Sequence, residues 1–374
     1  MSARKADILF FTLTTFSTTG GIEKVCRIVC RALQDMRGGG SLTNYHVLSL
    51  HDQNSDLQSA YLPKDHFSGC AGKPFRFLRK AMIRARSADI LLLSHINLAL
   101  PALLVQKIYP HLQIVLIAHG VEIWRKQSRW RIHLLRICEK IIAVSHFTKD
   151  TISATHGIPP KKIQVLNNCL DPFFERPGSF DKPDYLLRKH KLDGSQPVLF
   201  ALTRMSAYEQ YKGYDRVIEA LPDILRSYPG TQYLIGGKCD DAEKERIEAL
   251  ARKTGVKKDV KLIGFIHDHE LADYFLLADV FCLPSRKEGF GIVFIEAMAC
   301  GLPVVAGNKD GSVDTLNNGQ FGEAVDPDSV PQISSMVKRH LEQRLVPKKK
   351  LSDACYARFN YGRYRQDLEN LLLA

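Results

Sequence analysis

The 374-residue chain is 45% apolar and 25% charged, the balance of a soluble globular protein with more material than one core usually holds, so two domains are expected. Its formal charge of +12, from 52 Lys and Arg against 40 Asp and Glu, asks for an acidic partner such as a nucleotide diphosphate, an anionic lipid head group or nucleic acid. No apolar run approaches the roughly 20 residues that span a bilayer. The opening Met1-Ser2-Ala3-Arg4-Lys5-Ala6-Asp7 does not read as a signal peptide, and the nine scattered cysteines contain no Cys-x-x-Cys pair. A cytoplasmic, reducing location is the expectation.

The first half alternates apolar strands with amphipathic helices. Strands are expected at Ile8–Leu13, Tyr45–Leu50, Ile90–His95, Ile114–His119, Ile141–Ser145 and Ile163–Leu166. A helix opens at Gly20-Gly21-Ile22-Glu23 and runs to about Leu33; others cover Pro101–Tyr109 and the residues after His146. Asp171 to Ser195 carries Pro172, Pro177, Gly178, Pro183 and many charges, and reads as an interdomain linker. The strand–helix rhythm then restarts, with strands at Val198–Leu202, Tyr233–Gly236, Val260–Leu262, Val280–Leu283 and Pro303–Ala306, and a short one at Phe321–Val325. Such alternation predicts α/β architecture, two doubly wound parallel sheets whose strand ends line a cleft.

The densest signal lies at Glu288-Gly289-Phe290-Gly291-Ile292-Val293-Phe294-Ile295-Glu296, between the strand Val280–Leu283 and a helix that starts near Ile292. Glycines admit backbone close to a ligand, and the free N–H groups of a helix start attract an anion such as phosphate. Carboxylates repel phosphate but accept well from hydroxyls. The segment therefore offers amides to phosphate and carboxylates to sugar hydroxyls, which suits a nucleotide-sugar. A glutamate near a helix start can equally serve the macrodipole alone. Arg204 follows one strand and Lys212 precedes the next helix, where two cations could clamp a diphosphate and stabilise its departure.

With Glu288, seven residues and then Glu296, continued by Ala297-Met298-Ala299-Cys300-Gly301-Leu302-Pro303-Val304-Val305-Ala306 and by Gly311, the chain resembles the retaining glycosyltransferases of family 4. The resemblance implies the GT-B fold, two Rossmann-like domains facing across a cleft: an acceptor-side domain over residues 1–178, a nucleotide-sugar domain over 179–350, and a C-terminal helix within 351–374 that crosses back. It implies donor-binding roles for Gly20, Gly21, Arg204, Lys212, Gly289, Phe290, Gly291, Ile292 and Glu296, with Glu288 on the sugar hydroxyls and Glu296 on the ribose. It implies a catalytic set of His119, Glu288, Arg204 and Lys212. His119 could instead be a buried structural histidine; Glu122 could assist it or pair with Arg125. Ser145 and Thr148 match the acceptor-side segment only loosely.

His267 and His269 form a His-x-His pair without further ligands, and Asp326-Pro327-Asp328 reads as a turn, so no metal and no cofactor are expected. Lys73 to Arg86 holds six cations and no acid, with Phe75, Leu78, Met82 and Ala85 at helical spacing. It reads either as a core-packed helix with a solvated basic face or as a helix that meets an anionic membrane. No nucleic-acid motif accompanies it.

The expected activity is retaining, metal-independent transfer of a hexose from UDP- or GDP-hexose to a lipid-linked saccharide or surface polysaccharide, by a protein peripheral on the inner face of the membrane. The alternatives are a nucleotide-sugar epimerase of the same two-domain shape and a non-catalytic nucleotide-sugar-binding subunit.

Overall fold

The computed structural model describes residues 5–317, 319–343 and 346–373. The chain divides into two compact units: Met1–Pro172 with Tyr361–Ala374, and Phe173–Asn360. The first holds seven strands: β1 (Ala6–Thr12), β2 (Leu42–Ser49), β3 (Phe67–Gly69), β4 (Ile90–Leu93), β5 (Gln113–Ala118), β6 (Lys140–Ala143) and β7 (Ile163–Val165). All pair in parallel, in the order β3-β2-β1-β4-β5-β6-β7. Strands covered on both faces read as unbroken apolar runs, and Ile8, Leu9, Phe10 and Phe11 of β1 are accordingly all buried. The Gly21–Gly38 helix runs a turn beyond the expected end because Met36 continues its buried stripe.

The second unit repeats the plan with β8 (Val198–Leu202), β9 (Gln232–Gly236), β10 (Val260–Gly264), β11 (Val280–Leu283), β12 (Val304–Gly307) and β13 (Gly322–Val325). Their order is β10-β9-β8-β11-β12-β13, again all parallel. The winding direction reverses between β1 and β4 in one sheet and between β8 and β11 in the other. Open parallel sheets bind ligands at the carboxyl ends of the strands beside such reversals. The two sheets are those of the GT-B fold.

The segment expected as a linker is only partly one. Asp184–His190 is a helix of the second unit, with Leu186 buried, Tyr185 donating to Asp273 at 2.7 Å and Lys182 paired to Asp279 at 2.6 Å. Pro183 starts this helix rather than marking a flexible stretch. The Lys348–Phe359 helix braces the second unit: Ser352 Oγ donates to the Ala299 carbonyl at 2.6 Å, and Phe359 packs edge-on against Phe290 and Phe321. The Tyr361–Leu373 helix belongs to the first unit, where Tyr361 donates to Asp35 at 2.7 Å and Leu368 is fully buried.

The Pro74–Ala85 helix turns Phe77, Ala81 and Ala85 to the core, with Leu78 and Met82 half-buried. Phe75, expected on the apolar stripe, is 90% exposed: placed two residues before Phe77, it falls on the opposite helix face. Among the described residues no helix is long and apolar enough to cross a membrane. All nine cysteines are free thiols, and all but Cys239 are buried.

Candidate active site

In the second unit the chain brings Lys212 and Glu288 together, Nζ to Oε1 2.6 Å. Gly213 makes this possible. It has φ +83°, and a Cβ there would lie 2.1 Å from the Pro284 carbonyl oxygen, so only glycine lets the turn lie on the end of β11. The two side chains are 16% and 17% exposed. Burial opposes the Lys212 charge, but the adjacent Glu288 carboxylate outweighs it and holds the pKa above the ordinary lysine value.

Arg204 is paired as well, to a different carboxylate. It forms a two-pronged pair with Glu209, Nε to Oε2 at 3.1 Å and a terminal nitrogen to Oε1 at 2.5 Å. Burial opposes the Glu209 charge, but Arg204 and then Lys212 outweigh it and leave the carboxyl below its usual range. Glu209 thus engages Arg204, one of the two cations of the expected clamp, and feels the charge of the other.

Gly291 has φ +85° and caps the Ile292–Ala299 helix. Among the described residues the amides of Gly289, Phe290, Gly291 and Ile292 have no recorded acceptor in the protein. The Phe290 ring is buried against Phe359, so only its main chain is available to a ligand; Ile292 is buried as well. Glu296 is 2% exposed in the second turn of the helix.

The loop that carries Glu288 is clasped by the one after β12. Gly311 N–H donates to the Glu288 carbonyl at 2.8 Å, and a Cβ on Gly311 would lie 2.0 Å from the Gly289 oxygen. Asp310 accepts from the Glu288 N–H at 2.7 Å and the Ser312 N–H at 3.0 Å. Asp326 and Asp328 are occupied by cations: Lys309 lies 2.7 and 2.9 Å from them, and Arg286 pairs with Asp328. Arg286 and then Lys309 hold the Asp328 carboxyl down to about 2. His267 and His269 are exposed and stacked on each other, and no group of three or more potential metal ligands exists among the described residues.

In the first unit Gly20 is the extended N-cap of the Gly21–Gly38 helix, and a Cβ at Gly21 would meet nothing within 4 Å. The loop before them is wrapped around buried Asp52. Its carboxylate accepts from the N–H groups of Thr15 at 2.7 Å and Ser17 at 2.9 Å, and from the hydroxyls of Ser17 and Ser49 at 2.6 and 2.7 Å. These amides are therefore already committed.

His119 follows β5 and is buried; its Nε2 lies 2.8 Å from the Ser94 carbonyl. That acceptor puts the proton on Nε2 and leaves Nδ1 as an acceptor. Burial drives the pKa down to about 4, so the ring is neutral near pH 7. Gly120, at φ 139° and ψ −104°, makes the turn into the Val121–Trp124 helix. Glu122 accepts from the His119 N–H at 2.6 Å and is pushed up by burial. Ser145 caps the His146–His156 helix, accepting from the Thr148 N–H at 3.1 Å, and both residues are buried.

Sequence reasoning missed Asp52, Glu209 and Asp310. Each is a single carboxylate in a loop; Asp52 and Asp310 bridge to main-chain donors 37 and 22 residues away, and Glu209 takes Arg204 from its own loop.

The Glycosyl transferases group 1 family profile matches residues 186–357, and the Glycosyltransferase Family 4 profile matches residues 19–173. A GDP-mannose-dependent alpha-(1-6)-phosphatidylinositol monomannoside mannosyltransferase of Mycobacterium tuberculosis is 32% identical over 237 residues, 60% of each chain. A glycogen synthase of the same organism is 28% identical over 228 residues, 60% of this chain and 48% of that one. The match thus spans about 60% or less of the length of these relatives. A crystal structure of HepE from Anabaena in complex with UDP and glucose has a TM-score of 0.79 at 18% identity, covering 98% of this chain and 99% of that one. The apo form of the lipopolysaccharide outer core galactosyltransferase WaaB has a TM-score of 0.74 at 17% identity, over 98% and 99%. At such identities these likenesses show the fold.

Proposed function

The chain belongs to glycosyltransferase family 4, and from that premise we propose that it transfers a hexose, with retention of configuration, from a nucleotide diphosphate sugar to a saccharide acceptor carried on a lipid or a growing polysaccharide. One observation carries the reading. Lys212 and Glu288 meet at 2.6 Å beside the amides of Gly289–Ile292, which have no recorded acceptor among the described residues. Cation and amides suit the diphosphate, and the carboxylate suits the sugar hydroxyls.

In this reading Arg204 and Lys212 hold the donor diphosphate and stabilise the charge that develops on it as the glycosidic bond breaks. Glu288 accepts from hexose hydroxyls and Glu296 from the ribose. Gly20 and Gly21 bring backbone close to the donor. Neutral His119, with Nδ1 unprotonated, accepts from a sugar hydroxyl rather than adding a charge. The donor phosphate takes the proton of the attacking acceptor hydroxyl. Two cations and a helix start already face the diphosphate, and the Asp326 and Asp328 carboxylates are paired with Lys309 and Arg286. Transfer is therefore metal-independent.

The donor is a UDP- or GDP-hexose. The mycobacterial relative is GDP-mannose-dependent and HepE is solved with UDP, so both nucleotides enter the screen. A thermal-shift series with GDP, UDP and ADP identifies the base, since a ligand selective for the folded state raises the melting temperature. Nucleotide release is then followed with and without lipid-linked acceptors. Acceptor-dependent release supports a transferase; epimerised sugar without an acceptor points to an epimerase; binding without turnover points to a sensor.

The acceptor is presented at an anionic membrane. The outward face of the Pro74–Ala85 helix shows Phe75 at 90% and Ile83 at 61% exposure among Arg76, Arg79 and Arg84. Leu100, Leu104 and Ile108 of the packed Ala99–Ile108 helix are exposed too. Apolar tips among guanidinium groups match the boundary between head groups and acyl chains.

A further inference from the structure

We propose that Asp310 is a positioning residue for the donor, setting the orientation of Glu288 and of the Gly289–Ile292 amides through the hydrogen bond it accepts from the Glu288 main chain. This inference rests on the donor reading above. Asp310 is fully buried, an unusual place for a carboxylate. Among the described residues no cation pairs with it. Its oxygens are held instead by two main-chain donors on different loops, Glu288 N–H at 2.7 Å and Ser312 N–H at 3.0 Å. With the return bond from the Gly311 N–H to the Glu288 carbonyl, the two loops are closed by a pair of opposed contacts. The 2.0 Å approach that a Cβ on Gly311 would make leaves no slack between them. Glu288 therefore projects from a segment whose position depends on an acceptor at Asp310.

The clasp is sensitive to protonation. A carboxylate accepts from both N–H groups; a carboxylic acid keeps one good acceptor oxygen and turns a hydroxyl towards a donor. Burial, and the Glu288 carboxylate, oppose the charge against the two amides and push Asp310 up to about 7. The charged groups around it are few. Glu288 lies across the clasp with Lys212 as its counter-ion. On the Asp310 segment, Lys309 is tied to Asp326 and Asp328, and Asp314 lies in the next turn. The raised value belongs to the buried, clasped state, so the proton is taken up without opening the clasp; acidification should weaken the bond to the Glu288 N–H and so the orientation of Glu288, while Asp310 stays buried and the fold persists.

The test is donor kinetics from pH 5.5 to 8.5 for the wild-type protein and for Asp310→Asn, whose amide nitrogen cannot accept from an N–H. The wild type should show a rise in donor KM below about pH 7, with kcat changing less. Asp310→Asn should carry a KM raised about tenfold at pH 8, within the range expected for sub-ångström misplacement, and should lose the pH limb. A variant with wild-type KM, or one that keeps the limb, overturns the assignment. Hydrogen exchange on the wild-type protein keeps the idea testable if the variant does not fold. Opening would return Asp310 to an ordinary carboxyl, so protection of the 286–291 segment, corrected for the intrinsic rate, should rise from pH 8 to pH 6 while that of the β8 amides holds. Unchanged protection overturns the proposal. If GDP, UDP and ADP all fail to bind the wild type at pH 8, the donor reading fails, and the exchange result still decides whether Asp310 holds the loop.

Discussion

Lys212 and Glu288 neutralise each other in a place little reached by water, so each depends on the other until a ligand intervenes. On the proposed donor reading, replacing Lys212 by Ala would remove a preorganised charge from the diphosphate, and Arg204→Ala would remove a second. Each should lower turnover by about 10²-fold, measured as initial nucleotide release. Near-normal turnover in a well-folded double variant would sink the clamp. Glu288→Gln should lose most turnover yet still bind free nucleoside diphosphate by calorimetry, whereas Glu296→Ala should weaken that binding; the opposite pattern would exchange their roles. Excess EDTA should leave the initial rate unchanged, and Asp328→Asn should stay active, because Lys309 and Arg286 already occupy that turn. Loss of transfer in EDTA, restored by magnesium or manganese, would move the diphosphate elsewhere. These residues were legible as candidates because the glutamates and glycines, and separately the cations, sit in local patterns at strand ends and helix starts; that Lys212 meets Glu288 was not legible, since 76 residues separate them. Asp52 and Asp310 were not legible. The long-range donors they hold, the Thr15 and Glu288 N–H groups, lie 37 and 22 residues away in sequence, and a lone aspartate has no periodicity to announce a buried bond.

Elements followed the same logic. Long apolar runs marked the strands of both sheets, but Phe67–Gly69 was missed because three residues cannot display an alternation. The Asp184–His190 helix was hidden by flanking prolines and by charges that turn out to be partners for Asp279 and Glu270. The Pro74–Ala85 helix has the double character that its composition left open, core-packed through Phe77 and basic outside. Vesicles of anionic lipid should bind the protein at low salt and release it as salt rises, with each surface cation worth about 1 kcal/mol. Arg76, Arg79, Lys80 and Arg84 changed together to Gln should leave the protein in the supernatant. Phe75→Ala with Ile83→Ala should weaken the part of binding that survives high salt. Sedimentation indifferent to both sets would make this face ordinary solvated surface. On the other unit, Phe359→Ala empties the space between Phe290 and Phe321 and should cost about 3 kcal/mol of stability, read from the urea midpoint.

At the scale of the whole molecule the two units differ in how acid should affect them. His46, His95 and His119 of the first unit are pushed down by burial to about 3, 4 and 4. Their folded values lie below the ordinary 6.5, so the unfolded chain takes up protons first. The stability tied to their neutral forms is complete above pH 6.5 and is lost as pH falls towards 4. Asp7 and Glu122 act in the opposite direction but start from ordinary values of 3.8 and 4.5, so the histidines dominate the upper part of the window. In the second unit His340, lowered to about 4, and His190, lowered by burial, are opposed by Asp310, raised to about 7, whose folded form takes up the proton first. A calorimetric scan at pH 5.5 should therefore lower the transition of the first unit more than that of the second, relative to pH 7.5; equal shifts would contradict this. The Tyr361–Leu373 helix gives the chain a direction in time. It completes the first unit, with Tyr364, Leu368 and Leu372 buried and Lys140 Nζ reaching the Leu371 carbonyl at 2.7 Å, yet it leaves the ribosome after every residue of the second unit. The unit that begins synthesis first is thus the last to be finished. A nascent chain halted at Asn360 should hold a protease-resistant second unit beside a first unit that is still open to cleavage.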